Sequence, residues 1–303
     1  MPNSSDTRFA KIAKLFSYFA LRHLVPHNAS FDAVYSYLRF VVSHRRLPSR
    51  KMLFNDVLFR IKLRELTDPL RVFVSDKEHL KLYVKATIGD AFNVPTLAVL
   101  HSPAEVQNHN FPSACCIKST HASGHVIIRK AGEPIDKARI ISWFRINFYK
   151  KKREANYKYL KPKIIVEPLI FDGNPIDYKF FCVNGEPRMI QMDTERHTDH
   201  QRLLFDPNWN PQSYGLKIKN TRSTHTPRPD NLGEMLRIAG LLSKPFSFVR
   251  IDLYSNGRDV FVGEITHCHG SANERFIPAS AERIASAICF GKDFSSAQRP
   301  ANP

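Results

Sequence analysis

Apolar positions change period along this chain, and the changes mark out its elements. In the first third they recur every three or four residues, the helical spacing. Phe9, Ile12, Ala13, Phe16, Phe19 and Ala20 form one such stripe, with Lys11 and Lys14 between them. FDAVYSYLRFVVSHRR continues the pattern, so residues 1–46 read as a helical extension up to a break at Leu47-Pro48-Ser49. LFNDVLFRIKLREL (53–66) predicts a helix stopped at Asp68-Pro69. SDKEHLKLYV predicts the next, with Ser75 as N-cap and Glu78 three residues on, a capping box. Thr96–Leu100 is a short apolar strand.

From residue 114 strands dominate. Ala114–Lys118 and His125–Arg129 pair across the turn Ala122-Ser123-Gly124, a helix covers Lys137–Lys151, and Lys163–Val166 is a buried strand. Asp177–Val183 and Pro187–Met192 form a hairpin over Asn184-Gly185, the dipeptide that tolerates positive φ at both turn positions. After a helix at Leu232–Leu242, Phe248–Tyr254 and Val260–Ile265 form a second hairpin over Asn256-Gly257. Ala281–Phe290 is a final helix, and a polar, disordered tail is expected after Lys292. Strands and helices mix without strict alternation and without internal repeats, which gives an α+β class.

The composition is that of a folded globular protein: 303 residues, 43% hydrophobic and 24% charged. That length suits about two domains of roughly 150 residues. No run of about 18 uncharged apolar residues is present, so no transmembrane helix is expected. Arg8, Lys11, Lys14 and Arg22 interrupt the N-terminal apolar residues, so no signal peptide is expected either. Cys115, Cys116, Cys182, Cys268 and Cys289 are odd in number and contain no CxxC, which excludes a zinc ribbon and suits a reducing, cytoplasmic setting.

Charge changes the picture. Lys and Arg number 45 against 28 acids, a net +17, so an anionic partner is expected: nucleic acid, an anionic membrane surface or an acidic substrate. The densest block, RINFYKKKREANYKYLKPK (145–163), interleaves tyrosines with basic residues. It reads either as a stacking and phosphate-contact surface for nucleic acid or as a solvated helix end. No nucleic-acid module signature accompanies it, so no specific nucleic-acid partner is expected. The N-terminal stripe either docks on its own protein or makes peripheral contact with the inner face of the membrane.

Four features carry candidate chemistry. Asp252 and Glu264 face one another across the second hairpin, where two carboxylates without a counter-ion would leave one protonated or draw in a cation such as Mg²⁺, the alternative being a surface hairpin with scattered charges. Arg250 shares a face with Asp252. Lys118 ends a strand and precedes the small-residue turn with Ser123 and Gly124, which suits phosphate binding by backbone N–H groups. Glu167 stands between two apolar runs, positioned either for an adenine amino group or for a structural hydrogen bond. Asp177 and Lys179 lie on one strand face, placed for ribose and phosphate or for a simple salt bridge. The run His267-Cys268-His269 invites a transition-metal reading, but neighbours at a strand end point opposite ways.

In order and combination these pieces resemble the ATP-grasp superfamily, and most closely the TupA-like ATP-grasp proteins of bacterial cell-surface polysaccharide clusters. The resemblance rests on SDKEHLKLYV, CCIKSTHASGHVI, KIIVEPLI, DYKFFCVNGEPRMIQMD, FVRIDLY and VGEITHCHGSANERF, and runs from about Leu47 to Gly291. It implies two α+β lobes gripping ATP: an N-terminal lobe at 47–114 and an ATP-grasp domain at 115–292, behind the extension 1–46 and before a flexible tail 293–303. It also implies roles. Lys118, Ser123 and Gly124 would meet the phosphates, Glu167 the adenine hinge and Asp177 the ribose. Asp252, Glu264 and Thr266 would hold Mg²⁺. Lys179 and Arg250 would act in catalysis, at the phosphates and at an oxyanion, with Gly270 and Ser271 near the acceptor. The implied activity is ATP-dependent carboxylate–amine ligation through an acyl phosphate, on an acidic polysaccharide or amino-acid substrate. Thr266 stands where the wider superfamily has an asparagine, and its hydroxyl is a weaker ligand, so a second Mg²⁺ would be loosely held or completed by water; His269 stands where the superfamily has a proline. A glycosyltransferase is the rival enzyme, but no D-x-D motif occurs; a non-catalytic polyanion-binding protein is the other alternative.

Overall fold

The computed structural model describes residues 25–51, 53–171, 176–194, 201–218 and 226–291. The stripe at residues 9–20 and the tail after Lys292 lie outside them. A helix at Ala29–His44 is capped by Asn28, whose Oδ1 accepts from the Phe31 N–H at 3.1 Å. It is pinned by the basic block. The Arg153 guanidinium donates to the carbonyls of Val25 and Pro26 and to Asp32, and the Tyr149 hydroxyl donates to Asp32 at 2.5 Å. Part of a stretch read as a binding surface is therefore an internal anchor.

Two expected boundaries move. Ser75 is not an N-cap: it closes a short helix, Pro69–Ser75, that starts where the sequence reading ended one. Asp76 caps the next helix, Lys77–Ile88, accepting from the N–H groups of Glu78 and His79. A carboxylate at a helix N-terminus gains from both the orphan donors and the dipole. The helix expected over Lys137–Lys151 is broken into Lys137–Ser142, a 3₁₀ turn at Trp143–Arg145, and Phe148–Lys152. The Asn147 carboxamide accepts from the Lys150 N–H and so restarts the helix rather than continuing it.

Two antiparallel sheets form the scaffold. The smaller has the order β1(Ala98–Leu100)-β4(Ile164–Glu167)-β2(Cys115–Ser119)-β3(Val126–Arg129). The larger has the order β10(Val260–Thr266)-β9(Phe248–Ser255)-β5(Ile176–Val183)-β6(Glu186–Thr194)-β7(Gln201–Phe205), and the short β8(Gly215–Leu216) pairs outside both sheets with Phe276–Ile277. In the smaller sheet Ile117, Ile164 and Val166 pack with Val106, Ile140 and Trp143, which leaves Cys116, Lys118 and Glu167 on the opposite face.

The larger sheet divides its residues by alternation, interrupted by register shifts at Phe181/Cys182 and Val262/Glu264. Tyr178, Phe180, Cys182, Ile190, Met192, Leu203, Ile251 and Leu253 form one face and pack against the helices Leu232–Ser243 and Lys77–Ile88. Phe181, Val183, Met189, Leu204 and Phe248 lie on the other face at one end, beneath the helices Phe54–Arg64 and Ala281–Phe290. At its other end that second face is charged. No described helix is long and apolar enough to cross a membrane.

Candidate functional site

Alternation puts Asp177 and Lys179 on the second face of β5, Gln191 and Asp193 on β6, Arg202 on β7, and Arg250 and Asp252 on β9. The pairings Lys179–Asp252, Lys179–Gln191, Asp177–Asp193 and Asp193–Arg202 then join them into a row across four strands. Glu264 reaches this row through a β-bulge. Val262 opposes Leu253, and an unbroken register would set Glu264 against the buried Ile251. The extra residue at Gly263 instead sets Glu264 against Asp252 and Thr266 against Arg250. Gly263 is suited to the bulge, because a Cβ there would lie 2.7 Å from the Tyr254 ring.

The charges in this row are paired and nearly dry. Arg250 donates bidentately to Asp252, with both contacts at 2.7 Å, and reaches the Thr266 hydroxyl at 3.2 Å. Lys179 forms an ion pair with Asp177 and lies 3.5 Å from Asp193 and 3.6 Å from Asp252. Arg202 clamps Asp193 through two nitrogens. Burial disfavours the Arg250 charge, but Asp252 outweighs it and raises the pKa. Mutual repulsion of Asp252 and Glu264 therefore does not by itself demand a metal, contrary to the sequence argument, because Arg250 and Lys179 already supply positive charge.

The donor set nevertheless fits Mg²⁺. It is all oxygen: two carboxylates on directly opposed positions and a hydroxyl two residues further along β10. Each carboxylate oxygen retains lone-pair capacity beyond one guanidinium contact. The row also holds four carboxylates (Asp177, Asp193, Asp252, Glu264) against three cations (Lys179, Arg202, Arg250).

The smaller sheet closes over this row. Lys118 Nζ stands 5.7 Å above the Tyr254 ring, and Tyr254 is the cross-strand partner of Asp177. Both oxygens of buried Glu167 are engaged, by Lys118 at 2.6 Å and Lys81 at 2.5 Å. Burial would raise the Glu167 pKa, but the two ammoniums hold it below the ordinary value. Burial lowers the Lys81 pKa, whereas Tyr254, Glu167 and Cys116 around Lys118 outweigh burial and raise that lysine's. Glu167 thus aims lysines, and its side chain is less open to an adenine amino group than the sequence suggested. Ser123 and Gly124 form the exposed tip of the β2–β3 turn, with Gly124 at φ +82°.

A second group flanks Glu264. Buried Glu154 accepts from the Ser271 hydroxyl, and burial raises its pKa against the pull of Lys62. The Tyr157 phenol has its pKa raised by burial first, then by Glu264 and Glu154. Gly270, Ser271 and Ala272 all have φ near +60° (57°, 57° and 60°), so the loop after β10 is held in a strained left-handed run. His267, Cys268 and His269 do not form a metal site. His267 meets Arg71, Cys268 the Leu58 carbonyl, and His269 the Phe54 and Phe181 rings. Asp76, Glu78 and His79 form a compact cluster elsewhere, but Lys163 pairs with both acids. The cysteines are free, and burial pushes all five thiol pKa values up.

The TupA-like ATPgrasp family model matches residues 58–288, which span both sheets and every residue of this site. The chain belongs to that family. Among solved structures, this TupA-like chain is similar to D-alanine–D-alanine ligase from Helicobacter pylori, with 16% identity, 67% of this chain and 53% of that one covered, and a TM-score of 0.37. It is also similar to the ATP complex of D-alanine–D-alanine ligase from Bacillus anthracis (15%, 71% and 62%, TM-score 0.39). The L-amino acid ligase from Bacillus licheniformis aligns at 13% identity, with 80% and 55% covered and a TM-score of 0.45. The chain therefore spans about half to three-fifths of the length of these proteins. No curated protein matches the sequence.

The sequence reading missed several members of the site, Lys81, Glu154 and Gln191 among them. Asp193 lay one residue past the expected end of β6, although the Gln191–Asp193 alternation continues through it. Arg202 lay on a strand that was not predicted, and Tyr157 was counted only as a stacking aromatic.

Proposed function

We propose that this TupA-like ATP-grasp chain joins a carboxylate to an amine at the expense of ATP, through an acyl phosphate. The observation that carries the reading is the convergence of lysines from two sheets, Lys118 above Tyr254 and Lys179 among Asp177, Asp193 and Asp252, on one buried charged row. Family membership supports ATP-dependent ligation at the general level.

In this reading Lys118 and the exposed turn at Ser123 and Gly124 bind the α- and β-phosphates, Asp177 takes the ribose, and Lys179 holds the γ-phosphoryl group. Mg²⁺ held by Asp252, Glu264 and Thr266 would neutralise phosphate charge. A substrate carboxylate oxygen attacks the γ-phosphorus, the bond to the β–γ bridging oxygen breaks, and ADP leaves. The amine nitrogen then adds to the acyl carbon. Arg250 donates to the resulting oxyanion, phosphate departs, and the nitrogen gives up a proton. Arg250 enters this step already oriented by Asp252, so little reorganisation accompanies the charge that develops.

The net charge of +17 favours an acid-bearing substrate, and amino-acid decoration of an acidic cell-surface polysaccharide is the setting proposed. The test is incubation with MgATP, radiolabelled amino acids and acidic glycans. The reading requires amide product and ADP in equal amounts. AMP with pyrophosphate, or no incorporation across the panel, refutes it.

A further inference from the structure

Away from the ATP-facing row, the loop after β10 borders a cavity of ≈ 570 Å³, within the range of small-molecule sites. Its wall carries Arg39, Lys152, Lys217 and Arg275, with Glu274 as the acid and Gly270 at the edge. Glu274 is already engaged, 3.2 Å from Lys217 and 4.0 Å from Arg202. Four cations and one carboxylate therefore line this cavity. The crowding is visible at Lys152, whose pKa is lowered by burial and by Arg39, Lys151 and Lys217, with only Glu154 opposing.

The cavity shares Gly270 with the loop that follows Thr266. Ser271, next to Gly270, holds Glu154, and Glu154 feels Glu264 electrostatically. Burial would raise the Glu274 carboxyl, yet surrounding cations, Arg250 among them, hold it below the ordinary value. The wall is also rigidly specified: Gly270 sits at φ +57°, and a Cβ there would lie 2.2 Å from the Glu274 side chain. Arg39 comes from the helix Ala29–His44, outside the residues 58–288 that the family model matches.

We propose that this cavity binds the acid-bearing substrate of the ligation, a ligand with two or more carboxylate or phosphate groups, and that Arg39 is a specificity-determining residue supplied by the N-terminal helix. The assignment rests on the ligase reading above. Lys217 and Arg275 are exposed enough to meet a ligand arriving from solvent, and Arg39 and Lys152 lie half-buried behind them. A multiply charged ligand satisfies several of these donors at once, whereas a neutral one leaves the cationic crowding unrelieved.

Titration calorimetry on the full chain saturated with MgADP tests this, with trigalacturonate and glycerol 3-phosphate as probes and maltotriose as the neutral control. The variants are Arg39→Gln and Lys217→Gln, neither of which touches the ATP-facing row. The expected result is salt-sensitive binding of at least one anionic probe, weakened about tenfold or more in each variant, with no maltotriose binding and unchanged MgATP affinity. The preferred probe distinguishes a uronate from a phosphate ligand. Wild-type affinity in both variants, equal binding of maltotriose, or no binding of either anion up to millimolar concentration overturns the proposal. Arg39-dependent anion binding by a wild type that fails to bind MgATP instead leaves the anion site standing and overturns the ligase reading.

Discussion

The bulge at Gly263 brings Glu264 to Asp252, and substituting that glycine tests the arrangement without touching a charge. Gly263 is not in a left-handed conformation, so alanine meets no backbone strain there, and its effect comes from space alone. The new methyl would lie 2.7 Å from Tyr254 Cε2, 2.9 Å from Cζ and 3.2 Å from the hydroxyl oxygen. Relaxed carbon contacts need about 3.5–4.0 Å, so the ring must retreat by roughly 1 Å. Overpacking of this kind costs about 1–3 kcal/mol. At roughly 2–4 °C per kcal/mol, the melting temperature should fall by about 2–12 °C. Shortening the ring should restore the lost space, so Tyr254→Leu is expected to rescue Gly263→Ala with a coupling of about 0.5–3 kcal/mol. Denaturant melts of wild type, both single variants and the double variant measure this directly. A Gly263→Ala protein as stable as wild type, or strictly additive losses in the double variant, would refute the account of the bulge.

Two further outcomes follow from the buried charges and rings. Asp193→Asn leaves Arg202 and Lys179 short of a buried counter-charge and should cost about 3–5 kcal/mol, whereas Glu186→Gln, in an exposed pair with Arg188, should change stability by about half a kcal/mol or less; thermal melts of the two variants decide. His269 is buried, with its pKa lowered by desolvation to about 3, so the folded state holds it neutral. Its contribution is complete above the unfolded value of roughly 6.5 and is lost as pH falls towards 3, with a slope of up to about 1.4 kcal/mol per pH unit. His269→Phe, which keeps the ring contacts with Phe54 and Phe181, should flatten the pH dependence measured by urea melts between pH 7 and 5. An unchanged slope would contradict it.

What the sequence disclosed depended on how local the physics was. The hairpin turn at Asn184-Gly185 has φ of 49° and 85°, as the dipeptide requires, and the α+β class followed from periodicity. Asp177, Lys179, Arg250 and Asp252 share a face by simple alternation, so their placement could be read from one strand at a time. Cross-strand facts were less accessible. The Glu264–Asp252 pairing was expected, but the bulge that creates it depends on a glycine fitting beneath Tyr254, whose own register partner is Phe261, two positions earlier on β10. The engagement of Glu167 by Lys81 joins a helix to a strand 86 positions away, and nothing in either segment announces it. Arg39 entered the picture because its helix is held against the rest of the fold, by Arg153 through Asp32 and by His44 on the Ala272 carbonyl.

The central claim is that the charged row beneath Lys118 is a Mg²⁺-dependent ATP site. Calorimetric titration of MgATP into wild type, Lys118→Gln and Glu264→Gln tests it most directly. The account predicts wild-type binding that weakens when Mg²⁺ is withheld, a loss of about tenfold or more in Lys118→Gln, and a loss in Glu264→Gln confined to the Mg²⁺-dependent part. Equal affinity in all three proteins with and without Mg²⁺, or no wild-type binding up to millimolar ATP, would contradict it.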